Sequence, residues 1–121
     1  MKRISTGKYR GKFEVLFASR SVQAAMMTLR PGATSDHKVS NEHPRAEQWL
    51  YVIAGAGHVR FASASRRVRR QTVKAGDLIL IEKRERHQVE NSGIKSLRTI
   101  NFYSPPAYDD NEEVKAYVRS R

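Results

Sequence analysis

The fold is decided by the stretch GDLILIEKRERHQVEN, residues 76–91. It places one short apolar run, Leu78–Ile81, between a Gly-Asp turn and a charged turn, and a second run, His87–Glu90, after the charged turn. Both runs are shorter than a typical helix and contain the branched residues that strands favour. Side chains alternate along a strand, so His87 and Val89 share one face. The stretch therefore predicts two short strands joined by a turn, with a histidine on an apolar face.

The rest of the chain repeats this pattern. Turn signals rich in Gly, Pro, Asn and Ser separate further short runs, which predicts an all-β sandwich or barrel. The other predicted strands are Phe13–Ala18, Val22–Leu29, Gln48–Ala54, His58–Ala62 and Leu97–Tyr103. The tail, residues 111–121, differs because Val114, Tyr117 and Val118 lie at helical spacing, and there we expect a short amphipathic C-terminal helix.

Length and composition narrow the class of protein. With 121 residues and no linker or internal repeat, the chain is expected to form one domain over residues 1–121. The absence of cysteine excludes disulfide scaffolds, thiolate zinc sites and cysteine nucleophiles. No apolar run is long enough to span a bilayer, and no apolar segment follows the charges of the first residues. We therefore expect a cytoplasmic protein that does not cross a membrane.

The charge balance is strongly basic. Twenty-three Lys and Arg oppose twelve Asp and Glu, for a net charge of +11 with neutral histidines. Such a balance favours anionic partners: nucleic acid, acidic lipid, or a phosphorylated or carboxylated small molecule. The segment Arg66–Arg70 concentrates four arginines in five residues, and we expect it on a hairpin that follows His58–Ala62. This arginine cluster is interpreted either as an exposed charged loop or as a clamp for phosphates.

One histidine and one glutamine form a candidate pair of ligands. If a hairpin turn forms around Arg45 and Ala46, His43 and Gln48 face each other with Cβ atoms ~5 Å apart. Alternation places Gln48 on the same face as the apolar residues that follow it in the strand. A buried amide needs a polar partner, and a metal ion would be one.

Several other residues have a predicted environment. Trp49 and Tyr51 point away from the Gln48 face, and either pack under a terminal segment or form a dimer interface. His58 follows Gly57 near a turn and is expected to be exposed to solvent. Tyr103 and Tyr108 flank the prolines after the last strand, where they could cover the mouth of a barrel.

Two motifs of this sequence resemble the cupin family. The first, over about residues 31–55, contains Pro31-Gly32, two histidines and the strand that ends in Gly55. The second, over about residues 76–91, has the family spacing from Gly76 through Glu82 and His87 to Asn91. The resemblance implies a double-stranded β-helix, or jelly-roll barrel, with a metal at its centre, and a homodimer.

By this resemblance, the metal ligands are His43, Gln48 and His87, with His37 as a fourth. Two departures from the family pattern affect the first motif. His37 lies farther from His43 than the family's paired histidines do, so His37 reaches in from a longer loop, Asn41 or Glu42 supplies an oxygen, or one ligand is missing. Glutamine replaces glutamate at position 48, which removes a negative charge and should lower metal affinity. In the second motif, Glu82 and Arg84 replace the usual proline and glycine.

The function that the resemblance implies is metal-dependent. Imidazole with an amide oxygen suits Mn, Fe, Ni, Co or Zn. The protein would bind or act on a small polar or anionic metabolite with isomerase, epimerase or oxygenase chemistry. Among the residues near the predicted ligands, Glu42 or Glu47 would be the general base, and strand alternation argues against Glu47. A second hypothesis is a barrel that binds or senses a small molecule without catalysis. A third is an accessory protein that binds nucleic acid through its basic surface.

Overall fold

The computed structural model describes residues 1–63 and 66–119, without the side chain of Tyr117. Eight strands form nearly all of the regular structure in these residues. They are β1 (Phe13–Ala18), β2 (Gln23–Leu29), β3 (Glu47–Ala54), β4 (Ala56–Ala62), β5 (Arg69–Lys74), β6 (Leu78–Ile81), β7 (Arg86–Glu90) and β8 (Leu97–Ser104). A single helical turn, α1 (Ala116–Arg119), follows. The all-β prediction is therefore confirmed.

The strands pair into two antiparallel sheets. One sheet has five strands in the order β1-β2-β8-β3-β6, and the other has three in the order β5-β4-β7. Sheet order differs from chain order, so residues far apart in sequence meet on the two inner faces. The predicted strands match this set except for β5, because Arg69 and Arg70 at the end of the arginine cluster pair with β4 instead of remaining in a loop.

Alternating burial along the strands shows which side chains face the core. In β3 the buried residues Gln48, Leu50 and Val52 alternate with the half-exposed Trp49 and Tyr51. The inward side chains of both sheets form one apolar cluster. Burial of each large side chain in it contributes about 1.5–3 kcal/mol to the stability of the fold. Its buried members are Met27, Leu29, Leu50, Val52, Val59, Val73, Val89 and Leu97.

A second buried cluster closes the other part of the barrel. It joins Ala25 and Tyr103 of the sheet with Tyr108 and Val118 from the C-terminal segment. Val118 accepts a hydrogen bond from the backbone N–H of Arg45, at 3.0 Å through its carbonyl oxygen. The C-terminal segment is thereby fixed against the loop that precedes β3.

The prediction of a short amphipathic helix over residues 111–121 was wrong. Only Ala116–Arg119 is helical, and residues 120–121 and the Tyr117 side chain lie outside the described structure. Before this turn, Val114 pairs with Tyr108 in an isolated β-bridge. Asp109 Oδ1 accepts hydrogen bonds from the backbone N–H groups of Asn111 and Glu113, at 2.8 and 3.0 Å. These local bonds favour a turn over a helix.

The exposure predicted for His58 was also wrong. Its side chain is buried, with Nε2 3.0 Å from Glu90 Oε1 and Nδ1 3.3 Å from Ser92 Oγ. The cause is sheet order: β4 is the central strand of its sheet, and Glu90 of β7 lies directly opposite His58.

None of the described helices is long and apolar enough to cross a bilayer.

Candidate metal and ligand site

A cavity of about 200 Å³ lies between the sheets, beside the first residues of β3 and β7 and the last residues of β8. Three of the four predicted metal ligands line it. Its innermost polar side chains are His43, Gln48, His87, Tyr103 and Tyr108. The structure therefore brings together groups that are up to 65 positions apart in sequence, because β3 pairs with β8 and β7 faces them from the other sheet.

His43 occupies a tight turn rather than a strand. The backbone N–H of Ala46 donates to the carbonyl of His43 at 3.0 Å, and the imidazole Nδ1–H donates back to the carbonyl of Ala46 at 3.2 Å. This turn, not the predicted two-stranded hairpin, aims Nε2 at Gln48 Oε1, 3.1 Å away. The hairpin was a wrong prediction because β3 takes its partners from β6 and β8. The predicted contact between the two side chains is nevertheless present.

Burial determines the charge state of His43. The side chain is 1% exposed, and this desolvation lowers its pKa below the usual value. The ring is therefore neutral at pH 7. With its proton on Nδ1, held by Ala46, the ring presents the lone pair of Nε2 to Gln48.

Gln48 begins a chain of buried amides. Its Nε2 donates to Asn101 Oδ1 at 2.9 Å, and Asn101 Nδ2 donates to Thr99 Oγ1 at 3.0 Å. In this arrangement the Gln48 oxygen faces His43. Sequence reasoning missed Asn101, although the alternation of Leu97, Thr99, Asn101 and Tyr103 in β8 places a polar residue on the inward row.

His87 enters the cavity from the opposite sheet. Its ring centre is 5.3 Å from that of His43, and its Nδ1–H donates to the carbonyl of Glu85 at 3.3 Å. Burial, together with the neighbouring His43, lowers the pKa of His87 to about 4. The lone pair of Nε2 is therefore available, and that atom has no hydrogen-bond partner within the described residues.

These groups fit a transition-metal ion. Histidine ligands of metals usually donate their second N–H to a carbonyl or carboxylate, as both rings do here. Two neighbouring ligands of an octahedral ion, each at ~2.1 Å, lie about 3.0 Å apart, close to the 3.1 Å between His43 Nε2 and Gln48 Oε1. Within residues 1–63 and 66–119 no three His, Asp or Glu side chains gather to hold a metal. A set of three donors in this cavity would therefore have to include the Gln48 amide oxygen.

The three residues predicted as alternatives for a fourth metal ligand, His37, Asn41 and Glu42, have different surroundings in the structure. The side chain of His37 is exposed and does not line the cavity. Asn41 ties two loops together, since its Nδ2 donates to the carbonyl of Glu85 and its Oδ1 accepts from the N–H of His43. Glu42 does line the cavity, and its Oε1 accepts a hydrogen bond from the Tyr108 hydroxyl at 2.8 Å. The structure thus brings Glu42, but not His37, to the predicted ligands.

Two tyrosines form one wall. The ring centres of Tyr103 and Tyr108 are 5.0 Å apart in an edge-to-face arrangement, and Tyr103 packs edge-on against His43. Burial raises the pKa of both hydroxyls. Both therefore remain neutral hydrogen-bond donors at pH 7.

The outer wall of the cavity is acidic although the protein as a whole is basic. Asp36, Glu42 and Glu112 line it, with Lys12 as the one ammonium group among the described lining residues. Backbone N–H groups hold two of the carboxylates, since His37 N–H donates to Asp36 and Val15 N–H donates to Glu112. Glu47, the other candidate base, instead binds the Trp49 indole N–H at 2.7 Å on the outer face.

Comparison with known proteins identifies relatives of this architecture. The family model described as the cupin domain matches residues 25–103. No curated protein matches the sequence. Among solved structures, BH2720 from Bacillus halodurans is 25% identical with a TM-score of 0.77, over 86% of this chain and 77% of that one.

Two further solved structures share the fold. KdgF from Halomonas sp. is 19% identical with a TM-score of 0.64, over 82% of this chain and 80% of that chain. An oxalate decarboxylase is 25% identical with a TM-score of 0.66, over 75% of this chain but only 23% of that protein.

Proposed function

The chain belongs to the cupin family, and on that premise we propose that it is a metal-binding cupin that binds or converts a small polar metabolite in the cavity between its sheets. The observation that carries this proposal is the contact between His43 Nε2 and Gln48 Oε1. Two atoms that each present a lone pair face each other at 3.1 Å, and a shared cation removes their repulsion. The Nε2 lone pair of His87 would complete a three-donor set.

The ligand set determines what kind of ion would bind. All three donors are neutral, so a divalent Mn, Fe, Ni, Co or Zn ion would keep its full positive charge. When bound, such an ion supplies Lewis-acid polarisation of an oxygen on the ligand. The residues of this chain hold that ion, exclude water and position the ligand.

We assign the proton-handling role to Glu42. Its carboxylate lines the cavity and is held by the Tyr108 hydroxyl, whereas Glu47 faces outward. Tyr108 stays protonated and so orients the carboxylate without competing for a proton. This arrangement suits proton abstraction from a substrate, as an isomerase or epimerase requires. The family resemblance also implies oxygenase chemistry, which would depend less on a general base such as Glu42.

The lining also defines the ligand. Tyrosine hydroxyls and carboxylates match the hydroxyl groups of a small polar molecule, while three carboxylates against one lysine disfavour a free polyanion. A volume of about 200 Å³ limits the ligand to a small metabolite. Of the polar and anionic ligands that the sequence predicts, we therefore favour a neutral, hydroxyl-rich one that offers an oxygen to the ion.

The test is the metal content of purified protein. Wild type, His43→Ala and His87→Ala are dialysed against each candidate ion, and the bound metal is measured by elemental analysis. About one ion per chain is expected in wild type and a large loss in both variants, with His58→Ala and His37→Ala as matched histidine controls. Equal metal in all five proteins would remove these ligands from the site.

A non-catalytic binding or sensing barrel is the second candidate, and the amide chain favours it. Rotating the amides of Gln48 and Asn101 by half a turn reverses their hydrogen bonds and lets Gln48 Nε2 donate to His43. The side chains of His43, Gln48 and Asn101 would then all be hydrogen-bonded without an ion. A metal-free protein that is stabilised by neutral sugars in a thermal-shift screen would support this candidate.

A further inference from the structure

A basic surface lies on the three-stranded sheet, away from the cavity. We name it the arginine surface; it consists of Arg60, Arg66, Arg67, Arg69 and Arg70. Arg60 of β4 lies directly opposite Arg70 of β5, and Arg69 of β5 lies opposite Phe61. Both Arg60 and Arg70 are exposed. Two shallow clefts lie here. One is lined by Arg66, Arg67, Val68 and Arg69, and the other by Arg60, Val68, Arg69 and Arg70 together with His58 and Glu90.

Charge is strongly segregated onto this sheet. Residues 56–74 contain six lysines and arginines and no aspartate or glutamate, and β7 adds Arg86 and Glu90. The three strands and their connection therefore carry a net +6 of the chain's +11. A uniformly solvated basic surface would spread this charge over both sheets.

In the part of the chain that the structure describes, no carboxylate forms an ion pair with an arginine of this surface. Among the described residues the one ion pair joins His58 and Glu90. Arg60 reaches only the amide oxygen of Gln88, at 3.4 Å, and Arg69 lies over the ring of Phe61, 5.4 Å from its centre. Like charges directly opposite each other in a sheet are destabilising. The pairing of Arg60 with Arg70 thus has a cost in the free protein that a bound anion would offset.

The arrangement fits a polymer better than a single small anion. The basic side chains extend from Arg60 on β4 across Arg69 and Arg70, at the start of β5, and into the preceding loop. One phosphate can engage only two or three guanidinium groups, through the bidentate contacts that arginine makes with phosphate. A chain of phosphates would engage the whole surface.

We propose that the arginine surface binds the sugar-phosphate backbone of nucleic acid without reading its base sequence. No aromatic side chain on it is free to stack on bases, since Arg69 covers Phe61. A lipid bilayer is a poorer partner, because surface-bound proteins insert apolar side chains into it. Of the exposed large apolar side chains in the described structure, only Val68 lies among these arginines.

The test is binding to fluorescently labelled DNA, measured by anisotropy over a range of NaCl concentrations. Wild type should bind single-stranded and duplex oligonucleotides of unrelated sequence with similar affinity, and binding should weaken as salt rises. The double variant Arg60→Ala/Arg70→Ala should bind at least tenfold more weakly, with a salt slope smaller by about two. Arg66→Ala/Arg67→Ala, in the loop, tests the same surface without changing a strand.

Arg20→Ala/Arg30→Ala is the matched control, because it removes two exposed arginines elsewhere and should change affinity less than about twofold. An equal loss in this control and in the surface variants would assign binding to net charge and overturn the proposal. So would no binding of DNA by wild type at low salt, a strong preference for one base sequence, or binding of anionic phospholipid vesicles in place of DNA. Because these measurements need no metal, their outcome is independent of the cavity proposal.

Discussion

At the scale of single residues, the glutamine at position 48 sets the properties of the cavity. It is buried among apolar neighbours, and its oxygen faces His43 at 3.1 Å. A carboxylate at this position would add one negative charge to a neutral set of donors. If the cavity holds the proposed ion, replacing this amide with a carboxylate should therefore change the metal affinity.

We expect Gln48→Glu to bind Mn²⁺ or Zn²⁺ at least about tenfold more tightly, since the added charge attracts the ion in a partly desolvated site. Asn101 can turn its amide to donate to the new carboxylate. Competition with a fluorescent chelator measures the Kd. Gln71→Glu adds the same charge on an exposed strand and should leave Kd unchanged. An unchanged Kd in Gln48→Glu would place the metal elsewhere.

Arg84 is a second position at which the sequence departs from the cupin pattern, and this departure affects the backbone conformation. The family resemblance places glycine here, and Arg84 has φ of 67°, in the left-handed region that side chains disfavour. Its backbone N–H donates to the carbonyl of Pro44 at 3.0 Å, which holds the turn beside the loop that carries His43. The turn thus keeps the shape that glycine would allow, at a cost in strain.

Arg84→Gly should raise the free energy of unfolding by about 0.5–1 kcal/mol, because relief of the strain exceeds the entropy that glycine adds to the unfolded chain. Urea unfolding measures the change. Lys83→Gly, one position earlier and without positive φ, should be destabilising instead. A loss of stability in both variants would show that the turn is not strained.

At the scale of the elements, the turn between β3 and β4 determines how the two sheets join. Gly55 has φ of 87°, and a Cβ there would lie 2.4 Å from the carbonyl oxygen of Ser96. The chain can pass from one sheet to the other at this point only because no side chain intervenes. Gly32 has a similar φ of 85°, but open space surrounds it.

Comparing the same substitution at Gly32 and Gly55 therefore separates the effect of backbone strain from that of steric clash. Gly32→Ala should lower the free energy of unfolding by about 1 kcal/mol through φ alone. Gly55→Ala should lower it by about 3 kcal/mol or more, since the clash with backbone is added. Thermal and urea unfolding of both variants measure the difference. Equal losses would mean that the β3–β4 turn can yield to a methyl group.

At the scale of the whole molecule, an apolar patch remains on the outer face of the five-stranded sheet. Trp49 lies opposite Leu80 and Tyr51 opposite Leu78, and all four side chains are 38–60% exposed. The aromatic pair is thus not fully covered by a terminal segment of the described structure, which was one of its two predicted environments. We propose that a second copy of the chain covers this patch.

Light scattering with size-exclusion chromatography should give about twice the monomer mass of 13.8 kDa. Leu80→Lys should shift the protein toward monomer, because a charge would be buried in the interface. Val22→Lys changes an equally exposed apolar residue outside the patch and should leave the mass unchanged. A wild-type protein that stays monomeric at every concentration would refute the dimer.

The candidate ligand set His43, Gln48 and His87 came with the resemblance to the cupin family. The sequence by itself determined the strands other than β5 and the inward faces of β3 and β7. These follow from local rules: side chains alternate with a period of two, and Gly, Pro and Asn mark turns. The same alternation in β8 indicates that Asn101 faces inward, although its role depends on which strand lies beside it.

Only the tertiary structure decided what meets in the cavity and what does not. Tyr108, Glu42 and Glu112 reach it because the C-terminal segment packs back against the loop before β3, while His37 stays outside. The burial of His58 likewise depends on β7 lying beside β4. Such contacts join residues far apart in the chain, and the order of strands in a sheet is set by the free energy of the whole packed core, which no short stretch of sequence contains.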